Sequence, residues 1–356
     1  MPARTRHRIL FVAGSAGHGT TQPSSLLSHA TWRSRILPYG YGVSVTTEIP
    51  PVAAARPHPS GDQFRISHEG HRATVTQVGA ALREYSVDGR DVVVPFGVDE
   101  ISPVFNCAVL LPWPNRLRDG SYEYGGVTHQ LPVTEPARST ALHGLAAWER
   151  WSVVEHTGSA VTLELELVAR PGYPFQLVAQ IRYALSDAGL EITLDVTNVG
   201  ASTAPYGAGF HPWLSTGGAD LDDCTVRLDA RTRVTTDDRL LPTGTEPASG
   251  TYDLLEPRSA AGLDLDDAYV DVVRDDEGLS WGRLSAPDGR TAAVWMDGSQ
   301  DVWQICSGDH IDPDHRRMGM AVEPMTCVAD AFRTGERLVH LAPGERHGVR
   351  WGMTLL

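Results

Sequence analysis

The chain has 356 residues, 41% of them hydrophobic, enough for one large β domain or two ordinary domains with a full core. Its formal net charge of −14 is spread along the chain and excludes the basic patches that recruit nucleic acid or anionic membrane surfaces. All 30 basic residues other than histidine are arginine, so Schiff-base chemistry on a carbonyl and a phosphate-loop lysine are both excluded.

Residues 1–60 are rich in Ser, Thr, Pro, Ala and Gly, carry arginine and almost no acid, and show no sustained periodicity. They read as a disordered extension or an over-long start, with a regulatory or targeting tail as the alternative. The opening Arg4-Thr5-Arg6-His7-Arg8, followed by a short apolar run broken by glycine, resembles a signal peptide only faintly and lacks a convincing cleavage site. With no apolar run near the length of a membrane span, the expected location is the cytoplasm.

From Phe64 onward the pattern becomes one of repeated short strands. Residues 161–168, 177–183 and 190–197 alternate apolar and polar side chains, which puts one face on a core and the other toward water, as in antiparallel sheet. Ser186-Asp187-Ala188-Gly189 between the last two predicts a hairpin turn. Further strands are predicted at 73–77, 151–155, 225–229, 269–273, 282–286, 292–296, 302–307 and 349–355. No segment carries a sustained 3.6-residue apolar stripe, so residues 61–356 are expected to form an all-β domain, a large antiparallel β-sandwich of stacked sheets.

Four segments break the strand rhythm by setting polar residues among aromatics and prolines. In Leu111-Pro112-Trp113-Pro114-Asn115-Arg116, two prolines stiffen the approach to Arg116. Its planar fork of donors suits adjacent sugar hydroxyls, or else carbonyls of its own loop. In Leu142-His143-Gly144-Leu145 the glycine leaves room for a ligand beside His143, which is otherwise structural. His211 lies in Gly209-Phe210-His211-Pro212-Trp213. There Trp213 is either plain core or an apolar wall that strips water from the imidazole and moves its pKa. Glu323 stands in Ala321-Val322-Glu323-Pro324-Met325, and a carboxylate in such a run is costly unless it is paired or used. Imidazole and carboxylate together make an acid/base couple fit for proton transfer on a small neutral substrate.

No His-x-x-x-His pair or compact His/Asp cluster calls for a metal, and Asp309-His310-Ile311-Asp312-Pro313-Asp314-His315 reads as a solvated polar loop. There is no Gly-x-Ser-x-Gly elbow. Cys107, Cys224, Cys306 and Cys327 are far apart and read as buried fillers in a reducing compartment. No cofactor is expected.

In order along the chain, the segments Asn115-Arg116, Leu142-His143-Gly144, Gly172-Tyr173-Pro174-Phe175, Asn198, Gly209-x-His211-Pro212, Leu265-Asp266-Asp267-Ala268-Tyr269 and Val322-Glu323-Pro324 resemble the aldose 1-epimerase (galactose mutarotase) family. The likeness runs from about residue 62 to the C-terminus. It implies a galactose mutarotase-like β-sandwich that interconverts the α and β anomers of a free aldose. The resemblance casts Glu323 as the base at the C1 hydroxyl, His211 as the acid at the ring oxygen, and Arg116, His143 and Asp266 as holders of the sugar hydroxyls; Asn115 and Trp213 complete the expected sugar-binding set. Asp266 is preferred over Asp267 for its three-residue spacing to Tyr269. Two departures bear on the sugar pocket. Trp213 stands where the family commonly has tyrosine, and Leu145 where a second glycine often follows His-Gly. The alternatives are a hexose-6-phosphate 1-epimerase, drawing on Arg118 or Arg316-Arg317, and a sugar-binding protein without catalysis. The expected partner is a monosaccharide, and the expected state a monomer or weak homodimer.

Overall fold

The computed structural model describes residues 57–356. The expectation of a disordered extension over residues 1–60 therefore lies outside the described residues as far as residue 56. Residues 57–60 belong with the domain. Ser60 is buried, its hydroxyl donates to the Val98 carbonyl at 2.5 Å, and His58 meets Asp99 at 3.0 Å.

The described chain is almost entirely antiparallel strand, as alternation predicts. The long hairpin Leu177–Ser186 and Gly189–Asn198 buries every second residue over most of its length. Its register closes at Ser186 opposite Gly189, the predicted turn. Gly189 has φ +116°, and a Cβ there would meet the Met353 carbonyl oxygen at 2.4 Å, so only glycine fits.

Two large sheets carry the domain. A nine-stranded sheet runs in the order Ser152–His156, Ala160–Leu167, Leu177–Ser186, Gly189–Asn198, Arg346–Leu355, Thr291–Met296, Ser280–Ser285, Thr225–Leu228, Arg258–Ser259. An eight-stranded sheet runs Pro242–Pro247, Ala230–Thr236, Asp266–Val272, Val302–Cys306, Gly319–Met325, Gly209–Phe210, Val109–Leu110, with Trp213–Ser215 also paired to Gly319–Met325. A four-stranded sheet from Gln63 to Asp91 supplies three strands that the sequence pattern did not single out.

The two large sheets pack face to face. A Cβ on Gly282 of the first would lie 2.3 Å from Val322 of the second. The Phe210 and Trp351 rings are 4.7 Å apart, and the buried Trp303 indole N–H donates to the Ser280 hydroxyl at 2.9 Å. Each fully buried Leu, Ile or Phe contributes about 1.5–3 kcal/mol. A core of this extent can therefore offset the cost of a few buried polar groups elsewhere. Among the described residues no helix is long and apolar enough to cross a membrane.

Candidate active site

Strand parity decides which side chains leave the core. In Gly319–Met325 every residue is buried, because both faces of the strand are covered. Val322 faces the nine-stranded sheet, so Glu323 must face the opposite way. The same rule turns Trp303 and Ile305 inward and Gln304 and Cys306 outward. The ladder aligns Asp266 with Cys306, Cys306 with Ala321 and Ala321 with Trp213, and it sets Gln304 against Glu323. These strands thus bring Asp266, Gln304, Cys306 and Glu323 to the outer face of the eight-stranded sheet, in a row pair that Ala321 and Trp213 continue.

His211 joins that row through a break in the ladder. Gly209 pairs with Met325 and Trp213 with Ala321, so His211, midway, falls opposite Glu323. Its Nε2 lies 3.3 Å from Oε1 of Glu323. Relative exposure is 7% for the histidine and 2% for the glutamate. His211 Nδ1 and Glu323 Oε2 have no hydrogen-bond partner among the described residues. Both side chains line a cleft of about 290 Å³.

Burial governs the electrostatics of the couple. Loss of water pulls the His211 imidazole down to about 4, and the Arg116 charge acts the same way. Loss of water also raises the Glu323 carboxyl well above the usual carboxylate range, with Asp266 adding to the rise and Arg116 opposing it. Trp213 supplies the apolar wall. Its ring stacks on His211 at 5.9 Å and 24°, and it is itself fully buried.

The remaining predicted residues close around the couple. Asn115 and His143 both adopt left-handed backbone, φ 57° and 60°, and tie their loops together. His143 donates its backbone N–H to the Asn115 carbonyl at 2.9 Å. The Asn115 N–H donates to His143 Nδ1 at 3.2 Å. An accepting Nδ1 leaves the proton on Nε2, so His143 is a neutral donor, and burial pushes its pKa well down. Gly144 serves packing rather than ligand access, since a Cβ there would lie 2.0 Å from the Leu111 carbonyl oxygen. Leu145 packs against the core and does not line the cleft, so that departure does not bear directly on the pocket.

Arg116 is more committed than the sequence suggests. Its Nε and Nη2 donate to both oxygens of Glu135 at 2.9 and 3.2 Å, and Nη2 lies 3.5 Å from Asp266. One edge of the fork is therefore used within the protein. Asp266 faces the cleft and accepts from Gln304 Nε2 at 2.7 Å, while Asp267 turns away to Arg233 at 2.7 Å.

Three groups at the cleft escaped the sequence reading. Glu135 sits in a polar loop and also accepts from Thr140 and Arg138. Cys306, read as a buried filler, is part of the cleft wall. The segment Asp309–Asp312, read as a solvated loop, forms the rim, with Asp309 anchored by Arg317 at 2.9 Å. No group of three or more His, Cys, Asp or Glu side chains arranged to hold a metal occurs among the described residues.

An almost all-strand domain of stacked antiparallel sheets is the galactose mutarotase-like fold. A GalM/aldose epimerase homologue from C. elegans superposes with TM-score 0.73 at 18% identity, covering 83% of this chain and 98% of that one. A galactose mutarotase-like protein from Clostridium acetobutylicum gives TM-score 0.72 at 18% identity, covering 82% and 94%. The aldose 1-epimerase family model matches residues 62–354, and the chain belongs to that family. The uncharacterized protein YihR of Escherichia coli K12 is 31% identical over 302 residues, 84% of this chain and 95% of YihR.

Proposed function

We propose that the protein interconverts the α and β anomers of a free aldohexose such as glucose or galactose. The observation that carries this reading is the 3.3 Å contact between His211 Nε2 and Glu323 Oε1, buried at the floor of a cleft. Anomerisation needs one base, one acid and positioning groups, with no amine and no cofactor.

Glu323 takes the proton of the C1 hydroxyl, and His211 gives a proton to the ring oxygen. The electron pair of the O1–H bond becomes the C1 carbonyl, and the C1–O5 pair leaves with O5 as its new hydroxyl. Rotation about C1–C2 and reclosure with the proton roles reversed give the other anomer. The pKa shifts disfavour forming the charged pair, but once it has formed both favour the forward step. A carboxylate whose pKa is raised is a stronger base, and an imidazolium whose pKa is lowered is a stronger acid. The imidazolium–carboxylate pair and the neutral pair hold the same number of protons. A transfer across the short contact therefore produces the reactive form without exchange with solvent. Hydroxyls of the bound sugar then stabilise the charged form by hydrogen bonding to it. The His143 Nε2–H, Arg116, Asp266 and Asn115 hold the remaining hydroxyls.

The charges of the cleft support a neutral sugar. Arg116 and Arg138 face five carboxylates, those of Glu135, Asp266, Asp309, Asp312 and Glu323, and both arginines are engaged by Glu135. Arg118 is turned to Asp237 and Asp330, and Arg317 to Asp222 and Asp309, so neither is free for a phosphate, while Arg316 is exposed and does not line the cleft. Polarimetry on freshly dissolved α-glucose and α-galactose tests the proposal. Equilibration faster than buffer supports it, and a rate equal to buffer on every aldose tried ends it. Glucose against glucose 6-phosphate separates the phosphorylated alternative. Tight sugar binding without anomerisation would mark a binding protein instead.

A further inference from the structure

Arg116 sits on a strand that has a partner strand on one side only. Arg116–Arg118 pairs with Thr140–Leu142, the strand that leads into His143, and among the described residues no strand closes its second edge. Two backbone groups on that edge, the Arg116 carbonyl and the Arg118 N–H, are instead taken by one residue. The Asp330 N–H donates to the Arg116 carbonyl at 2.7 Å, and Asp330 Oδ1 accepts from the Arg118 N–H at 2.9 Å.

A neighbouring strand would make the same two bonds with the N–H and the carbonyl of one residue. Asp330 has no carbonyl to spare. Its own accepts from the Arg333 and Thr334 N–H groups at 2.9 and 3.0 Å, in the short helix Ala331–Thr334. The carboxylate takes the place of that carbonyl. Asp330 is 6% exposed, and its backbone is left-handed at φ 62°, which aspartate, asparagine and glycine tolerate better than other residues.

The same run of chain carries the base. Asp330 lies seven positions after Glu323. Between them, the Thr326 N–H donates to the Ala208 carbonyl at 2.8 Å, and the Thr326 hydroxyl accepts from the Ala208 N–H at 2.9 Å. One continuous segment therefore fixes Glu323, the approach to His211 and the strand of Arg116 relative to one another. Asp330 itself does not line the cleft.

Resting on the anomerase reading, we propose that Asp330 is a positioning residue that sets Arg116 in the cleft by standing in for a missing strand along its backbone. Without the carboxylate the Arg118 N–H loses its acceptor, and the strand is free to twist away from the segment that carries Glu323. The guanidinium then leaves its place between Glu135 and Asp266. Arg116 holds sugar hydroxyls rather than moving a proton, so the loss falls mainly on substrate affinity.

The experiment compares the wild type, Asp330→Asn and Asp330→Gly by polarimetry on α-galactose, with the folded fraction read by circular dichroism. Both replacements accept left-handed backbone, and only asparagine keeps an oxygen for the Arg118 N–H. KM should stay within about twofold of the wild type in Asp330→Asn. It should rise about threefold to tenfold in Asp330→Gly, the worth of one hydrogen bond, with kcat per folded molecule changing less. An unchanged KM in Asp330→Gly, or an equal rise in both variants, overturns the positioning role. So does a fall in apparent kcat alone, which a purely structural role would give through the folded fraction. Amide hydrogen exchange on the wild type needs no variant to fold. The Arg118 N–H should be protected like the strand amides, and exchange at the rate of a free loop overturns the clamp. A wild type that does not accelerate anomerisation overturns the anomerase reading itself, and the positioning role with it.

Discussion

Glu323 and His211 are 112 positions apart in sequence yet directly opposed, because the strand segments flanking His211 pair with Met325 and Ala321 on either side of Glu323. The ladder is interrupted only where the imidazole must enter it. Buried without a full set of partners, Glu323 costs stability, and this sets up the first prediction. Glu323→Gln keeps the shape and removes the ionisable group. Activity on α-galactose should fall by about 10²–10⁴-fold, the usual worth of a positioned base. The thermal midpoint should hold or rise, since a neutral amide is less costly to bury than a carboxyl that can ionise. A variant that is destabilised yet keeps its rate would mark Glu323 as structural.

Three buried groups of the cleft contribute to the dependence of the fold's stability on pH. Unfolded histidine binds a proton near pH 6.5, whereas folded His211 binds one only near 4, and folded His143 is also shifted well down. Each histidine therefore contributes stability that is complete above about pH 6.5 and is lost as pH falls toward its folded value. Glu323 has the opposite sign. Its folded pKa is raised, so its contribution is complete below the unfolded value of about 4.5 and is lost as pH rises toward the folded one. Where those windows overlap, His211 and Glu323 offset each other and His143 remains. Between about pH 6.5 and 4.5 these three groups together should contribute a loss of about 1.4 kcal/mol per pH unit, the slope of one proton, and the partly buried His347, also shifted down, adds to it. His143→Gln should flatten that slope, as denaturant midpoints at pH 7 and pH 5 would show. An equal slope in both proteins would mean that His143 is protonated in the fold.

Glu135 holds Arg116 from behind with two hydrogen bonds, and the Arg116 charge in turn acts on both members of the couple. Glu135→Gln loses the ionic partner and one acceptor, so Arg116 gains freedom and leans toward Asp266. The effect should fall on sugar positioning, with KM rising about tenfold and kcat changing less. Glu135→Asp should recover part of the loss. Steady-state kinetics on galactose distinguishes this from a purely structural role, which would lower apparent kcat through the amount of folded enzyme and leave KM unchanged.

Much of this was legible in the sequence because strand parity is local. Alternation in 177–183 and 190–197 marked the sheet, and the three-residue step from Asp266 to the core residue Tyr269 placed Asp266 on the outer face. Register was not legible, because nothing within either segment states that Ala321 meets Trp213. Glu135 was hidden for another reason. It lies among polar loop residues, where a carboxylate carries no evident cost, and only its contact with Arg116 gives it meaning. The rim Asp309–Asp312 looked solvated because half of it is, and its anchor Arg317 reaches it through tertiary contact. Cys306 looked like filler because a thiol reads alike in a core and in a cleft wall.

Trp213 ties packing to acid strength, and replacing it tests that link. The indole is fully buried, stacks on His211, and comes within 3.0 Å of where a Gly308 Cβ would stand. Trp213→Tyr restores the residue that the family commonly has there, but removes part of the wall and lets water approach the imidazole. Because burial is the main cause of the low His211 value, the pKa should rise from about 4 toward 6.5. A weaker imidazolium acid should lower kcat at neutral pH, and the pH dependence of kcat should shift upward with the histidine. The fold should lose roughly 1–3 kcal/mol from the gap that the smaller ring leaves. Carbon-13 NMR of His211 across pH 3–8 reads the pKa directly. An imidazole that still titrates near 4 in the variant would show that Trp213 packs the site without tuning it.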